Sequence, residues 1–122
     1  MIRPDVQLER VFIYRKFVDF RKQVQGLSAI VQYTLELDPM SGDLYVFFNR
    51  RADKIRIIYW DANGYVLFGK YLEEDKFHLP SGDEDQVCIT GQQLNWLIDG
   101  ININYLRPHP QRQYGSGHLK SY

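Results

Sequence analysis

The stretch from Leu37 to Trp60, LDPMSGDLYVFFNRRADKIRIIYW, decides the fold of this chain. After a turn-forming Asp-Pro-Met-Ser-Gly segment, it contains two runs rich in β-branched and aromatic residues, at 44–49 and 54–60. Two such runs joined by a short polar connection predict a β-hairpin. The connection carries Arg50 and Arg51, so the predicted hairpin has a doubly basic tip.

An amphipathic helix is predicted on the N-terminal side of this hairpin. Its apolar residues recur at spacings of four, three and four: Phe20, Val24, Leu27 and Val31. This spacing places them on one face of a helix, with polar residues opposite. Asp19 is positioned to cap the helix, which we expect to run from about 20 to 34. A β-branched and aromatic run at 11–14 predicts a short strand before it.

Further elements are predicted after the hairpin. A turn at 61–64 leads into a third strand at 65–72, so the three strands form a meander. A short strand at 86–89 precedes a helix at about 91–98, which begins in a Thr-x-x-Gln capping box at Thr90. The predicted fold class is α+β: a single domain with a largely antiparallel β-meander sheet, an N-terminal amphipathic helix and a short C-terminal helix. We expect both helices to cover the same face of the sheet.

Length and composition fit one globular domain. The chain has 122 residues, of which 44% are hydrophobic and 15% aromatic, enough for an ordinary core. We expect the domain to occupy 1–106 and to be followed by a flexible basic tail at 107–122. The single cysteine, Cys88, has apolar neighbours and is predicted to be a small buried residue. With no transmembrane stretch and no signal-peptide pattern, the sequence predicts a cytoplasmic protein.

The charges are distributed unevenly along the chain. The formal net charge is zero, which argues against a strong non-specific nucleic-acid binder. Residues 1–60 nevertheless carry ten Lys/Arg against seven Asp/Glu, whereas residues 61–106 carry two against eight. Because screening limits the reach of each charge to about 10 Å, a neutral protein can still present a basic face.

Distinctive motifs lie between Val18 and Gly100, within a resemblance to one family that covers about residues 2 to 107. In chain order they are Val18-Asp19-Phe20-Arg21-Lys22, Leu37-Asp38-Pro39, Ser41-Gly42, Asn49-Arg50-Arg51, Tyr59-Trp60, Gln93-Leu94, Trp96-Leu97 and Asp99-Gly100. With these motifs the chain resembles the small accessory protein, often labelled TnpB or second open reading frame, of the insertion-sequence-66 class of bacterial transposons. Phe17 departs from the pattern, in which a smaller or polar residue is expected. The resemblance implies a helper that acts beside a separate transposase in DNA transposition.

Two groups of basic residues are candidates for contact with DNA. The first is the hairpin group Arg50, Arg51, Lys54 and Arg56, and the second is the pair Arg21 and Lys22 at the predicted helix start. Arginine suits phosphate because its guanidinium presents a fork of donors, and a two-stranded ribbon fits the DNA major groove. The alternative is a solvated turn and an ordinary helix start, since such arginines need no further cause. The resemblance to a transposon protein favours DNA contact more for the hairpin group than for Arg21 and Lys22, and both interpretations stay open.

The aromatic residues of the strands suggest a protein interface. Tyr45, Phe47, Tyr59 and Trp60 are the named candidates. Side chains alternate along a strand, so one set of aromatics belongs to the core. The other set forms a second buried face, an interface with a transposase or a second copy of the chain, or a platform on which bases of single-stranded nucleic acid stack.

No catalytic or metal-ligating constellation is recognised. His78, His109 and His118 lack the spacing of a zinc site, and no pair of carboxylates is placed for hydrolysis. We therefore predict a non-enzymatic accessory factor without a cofactor, which binds transposon DNA, the transposase, or both. The alternative is a self-associating interaction domain that does not contact nucleic acid. A small nuclease ranks last.

Overall fold

The computed structural model describes residues 10–106, which form five strands and two helices. They follow one another in this order: β1 Val11–Tyr14, α1 Val24–Ala29, β2 Leu44–Phe48, β3 Lys54–Asp61, β4 Gly64–Tyr71, β5 Gln86–Ile89 and α2 Gly91–Ile98. A π-helical turn, Ile30–Thr34, continues α1, and a 3-10 turn, Ile103–Tyr105, follows α2. The α+β class and every predicted strand are confirmed. The predicted tail at 107–122 lies outside the described residues.

The strands form one mixed sheet in the order β4-β3-β2-β1-β5. The predicted meander is confirmed, since β2, β3 and β4 pair antiparallel in sequence. β1 pairs parallel with β2 and antiparallel with β5, which brings the last strand to the edge opposite β4. The parallel β1–β2 pair requires a crossover, and α1 provides it.

The two helices cover opposite faces of the sheet, so the expectation that they share one face was wrong. On the first face, Leu27 of α1 and Val31 pack against Tyr45 and Phe47. On the other face, the apolar residues of α2 pack against alternate residues of the same strands. All five residues of β2 are therefore buried, since this central strand is covered on both sides.

The helix α1 begins at Val24, four residues later than predicted. Asp19 does not cap it. Instead, the Asp19 carboxylate accepts a hydrogen bond of 2.9 Å from the backbone N–H of Arg21, which closes a local turn. Such side-chain bonds of Asp compete with the helical pattern, and here the turn replaces the expected first helical turn. The carbonyls of Phe20 and Lys22 are consequently free to bind another group, described below.

The second helix is confirmed with its cap. The Thr90 hydroxyl accepts from the N–H of Gln93 at 3.1 Å, and the Gln93 side chain accepts from the N–H of Thr90 at 2.9 Å. The last turn is bonded from outside, because Lys70 Nζ donates to the carbonyl of Ile98 at 2.9 Å. A cation at a helix C-terminus also meets the negative end of the helix dipole.

Cys88 is exposed, so the prediction of a buried cysteine was wrong. It lies in the middle of β5, which in the described part of the chain is an edge strand, paired with β1 alone. The apolar neighbours Val87 and Ile89 pack against the α2 core. Because adjacent residues of a strand point to opposite faces, Cys88 points to the other face of the sheet.

Candidate nucleic-acid interface

The tip of the β2–β3 hairpin is held by its own side chains. Asn49 donates from Nδ2 to the Asp53 carboxylate at 2.7 Å, and its Oδ1 accepts from the N–H of Lys54 at 2.9 Å. The N–H of Ala52 also bonds the carbonyl of Asn49 at 2.9 Å. These three bonds close the loop below Arg50 and fix its backbone.

The same tip is supported from behind by the chain that follows β4. The N–H of Phe77 donates to the carbonyl of Ala52 at 2.7 Å, and the N–H of Leu72 donates to the carbonyl of Asp53 at 2.8 Å. Ala52 has a φ of 59°, a left-handed conformation that an alanine rarely adopts, and its surroundings hold it there. Arg50 and Arg51 are thus exposed on a rigid loop.

Arg56 links the hairpin to the segment before α1. Its guanidinium donates from one Nη to the carbonyls of Phe20 and Lys22, at 2.8 Å and 3.1 Å. It also lies over the Phe20 ring, 4.6 Å from the ring centre. The two predicted basic groups are therefore neighbours, since Arg56 of the first holds the backbone of the second.

An open cleft of about 720 Å³ lies between the hairpin tip and this segment. Its basic residues are Arg21, Arg50, Lys54 and Arg56. Among residues 10–106, Asp19 is the one carboxylate in its lining. Four of the six predicted basic residues are thus brought to a single cleft, whereas Arg51 and Lys22 are exposed but do not line it.

The Asp19 carboxylate is already paired within the cleft. Arg21 donates to it from Nε and from Nη2, the latter at 2.6 Å. The hydrogen bond from this side chain is the main reason that the pKa of Asp19 falls from 3.8 to about 2. Arg21 and Asp19 therefore largely neutralise each other. Within residues 10–106, Arg50, Lys54 and Arg56 form no ion pair with a carboxylate, so no acidic side chain of this range neutralises them.

Two of the four predicted interface aromatics belong to the core. Tyr45 is 1% exposed and Phe47 is fully buried, because α1 and the π-helical turn cover them. The prediction of an interface is wrong for these two residues. They form instead a second buried face of the sheet, which was the alternative to an interface. Tyr59 and Trp60 are half-buried and point to opposite faces, with Trp60 packed edge-on against Tyr65 at 5.1 Å.

Two other aromatic residues flank the basic cleft. Phe17 lines the cleft and is 49% exposed. A smaller hollow of about 200 Å³ continues from it over β4, with Phe20, Lys54 and Arg56 in both linings, and ends at Tyr71. Phe17 had not been predicted as a site residue, although its departure from the expected pattern singled it out.

Other kinds of site are not found in the described part of the chain. Between residues 10 and 106 there is no cluster of three or more His, Cys, Asp or Glu side chains that could hold a metal ion. No helix in that range is long and apolar enough to cross a membrane.

The fold and the cleft together define a small α+β domain with a rigid basic hairpin. Comparison with known proteins identifies its family. The chain matches the family model described as IS66 Orf2 like protein over residues 9–108, and it belongs to this family. Membership implies a transposition-associated accessory protein, as the motifs predicted.

Two relatives come from Sinorhizobium fredii (strain NBRC 101917 / NGR234). The chain is 34% identical over 113 residues to "Uncharacterized protein y4jC", which covers 93% of this chain and 96% of the relative. It is 33% identical over 111 residues to "Uncharacterized protein y4hO", and the matched segment covers 91% of this chain and 93% of that relative. No solved structure matches the chain significantly.

Proposed function

We propose that this protein is a non-enzymatic accessory factor of transposition that contacts the DNA of its element through the basic cleft, in the bacterial cytoplasm and beside the transposase. The observation that carries the proposal is the convergence of Arg50, Lys54 and Arg56 on one cleft, to which residues 10–106 contribute a single carboxylate, Asp19, already paired with Arg21. Phosphate is the ligand that such a surface fits best, because guanidinium and ammonium groups donate several charge-assisted hydrogen bonds to its oxygens.

Preorganisation strengthens this argument. Arg56 is fixed by two carbonyls and a ring, and Arg50 projects from a loop closed by Asn49. A side chain that is already placed, as that of Arg56 is, loses less conformational entropy when a ligand binds, and for Arg50 the closed loop fixes the backbone. The neutral total charge limits non-specific attraction, so contact would depend on this local surface rather than on the net charge of the protein.

The test compares two charge variants in DNA binding and in transposition. Arg50→Glu/Arg51→Glu reverses the charge of the hairpin tip. Arg10→Glu reverses the charge of an arginine at the opposite end of the sheet, beside the start of β1. We expect the tip variant to lose binding to the terminal DNA of the element and to stop transposition, with an unchanged circular dichroism spectrum. The proposal is contradicted if the tip variant, correctly folded, binds and transposes like the wild type.

A self-associating domain is the second candidate, and the edge strand β4 favours it. Within residues 10–106, β4 pairs with β3 alone, and Leu67 on it is 45% exposed. An exposed apolar edge strand can pair with another strand, of a second copy or of the transposase. Sedimentation of the wild type and of Leu67→Lys decides this point: a dimer that the lysine dissociates, with DNA binding absent, would favour self-association.

A further inference from the structure

We infer that the cleft and the adjoining hollow form one groove for an unpaired DNA strand, with bases stacked on Phe17 and Tyr71 and phosphates on the cations between them. The inference rests on the proposed function and specifies the form of DNA that is recognised. Proteins that bind single strands combine a basic groove with exposed aromatic rings in this way.

The groove is continuous because its two parts share their floor. Phe20, Lys54 and Arg56 line both the larger cleft and the hollow over β4. Phe17 lies in the first part and Tyr71 in the second, so the shared cations lie between the two rings. This order of ring, cations and ring is what a strand with splayed bases requires.

Both rings are accessible to a ligand. Phe17 is 49% exposed and Tyr71 is 57% exposed. The Lys54 ammonium lies 5.1 Å from the centre of the Tyr71 ring, which holds the ring at the edge of the groove. Single exposed aromatics are common, but two that border a basic groove form a recognition surface.

Gly69 keeps the middle of the groove open. It pairs with Arg56 across the sheet and lines the hollow. A Cβ at this position would meet only the carbonyl of Ile55, at 3.7 Å, which is an ordinary contact. Packing therefore does not demand glycine here, although glycine weakens a strand interior. The open floor of the groove is a reason for a glycine at position 69.

The shape of the site argues against duplex DNA as its ligand. The cations line a recess between the tip and the segment before α1, and Arg56 lies at its floor, partly covered by Phe20. The backbone of a single strand can enter such a recess with its bases turned outward, whereas a duplex would reach mainly the exposed arginines of the tip. The test must therefore measure binding to duplex DNA separately from binding to single-stranded DNA.

The test measures the anisotropy of a labelled oligothymidine of about 12 nucleotides, and of a duplex of the same length, with the purified full-length protein. We expect the single strand to bind more tightly. Phe17→Leu and Tyr71→Leu should each weaken single-strand binding at least about fivefold and leave duplex binding unchanged. Tyr105→Leu changes an exposed tyrosine outside the groove and should have no effect.

A variant that fills the groove distinguishes a loss of binding from a loss of folding. Gly69→Val adds a side chain to the groove floor and a β-branched residue to a strand, so it should raise the urea midpoint while weakening single-strand binding. Tighter duplex binding, or binding unaffected by the ring variants and by Gly69→Val, would overturn the inference and leave the proposed function intact. Failure to bind either DNA would contradict the proposed function itself.

Discussion

Replacing Asn49 with alanine is expected to loosen the hairpin tip and to destabilise the domain. The substitution removes the 2.7 Å bond to the Asp53 carboxylate and the 2.9 Å bond from the N–H of Lys54. A neutral hydrogen bond contributes about 1 kcal/mol, and one to a charged group contributes roughly 1.5–3. Both partners are only partly buried, so we take the lower values and expect a loss of about 2 kcal/mol. The melting temperature should fall by about 6 to 10 °C.

Urea unfolding of matched variants measures this loss. Asn63→Ala, at the β3–β4 turn, is the control, because the exposed Asn63 side chain forms no hydrogen bond within residues 10–106, and its effect should stay below about 0.5 kcal/mol. A double-mutant cycle with Asp53→Ala should return a coupling energy of about 1 kcal/mol. If Asn49→Ala costs no more than Asn63→Ala, the tip is not held by this side chain and the argument from preorganisation fails.

Three further predictions concern the rest of the domain. Asp19 should titrate near pH 2 by NMR, and Arg21→Gln should return its pKa toward 3.8. Because the pKa of Asp19 is lower in the folded state, the stabilisation from this pair is complete above pH 3.8 and is lost as the pH falls toward 2. A pKa of Asp19 that stays near 3.8 in the wild type would refute the pairing. Thr90→Ala should cost about 1 kcal/mol in urea unfolding through loss of the α2 cap, and a neutral result would contradict the capping box. Leu27→Ala should lower the free energy of unfolding by roughly 2–5 kcal/mol in the same assay, because Leu27 is fully buried. The control Leu67→Ala, at an exposed position, should lower it by less than about 1 kcal/mol. Equal losses would contradict the packing of α1 against the sheet.

The strands could be predicted because their signals are local. Runs such as Leu44–Phe48 and Lys54–Asp61 are rich in β-branched and aromatic residues, and polar turns bound them. The Thr90 capping box likewise carries its own mechanism within four residues. These elements require no knowledge of distant parts of the chain.

The layer arrangement could not be predicted, because it depends on contacts between distant segments. β1 lies beside β2 in parallel although some 30 residues separate them. That pairing turns β2 into a central strand buried on both sides, which is why Tyr45 and Phe47 are core residues rather than an interface. The uninterrupted apolar run Leu44–Phe48 is the one local signal of such a strand.

The candidate site was predicted in its chemistry but not in its shape. The basic residues of the tip stand out in the sequence, and Arg21 was named beside them. Their meeting depends on the turn at Asp19, which displaces the start of α1 and leaves two carbonyls for Arg56. Phe17 is exposed beside the cleft, and no periodicity in the sequence reveals this.

The central claim, that the basic cleft contacts phosphate, is tested most directly by the salt dependence of binding to single-stranded terminal DNA. Three contacts, from Arg50, Lys54 and Arg56, predict a slope of about −2 for the logarithm of the binding constant against that of the salt concentration. Arg50→Gln should reduce this slope by about 0.7, and the distant Arg10→Gln should leave it unchanged. A slope near zero, or an equal change in both variants, would contradict the account.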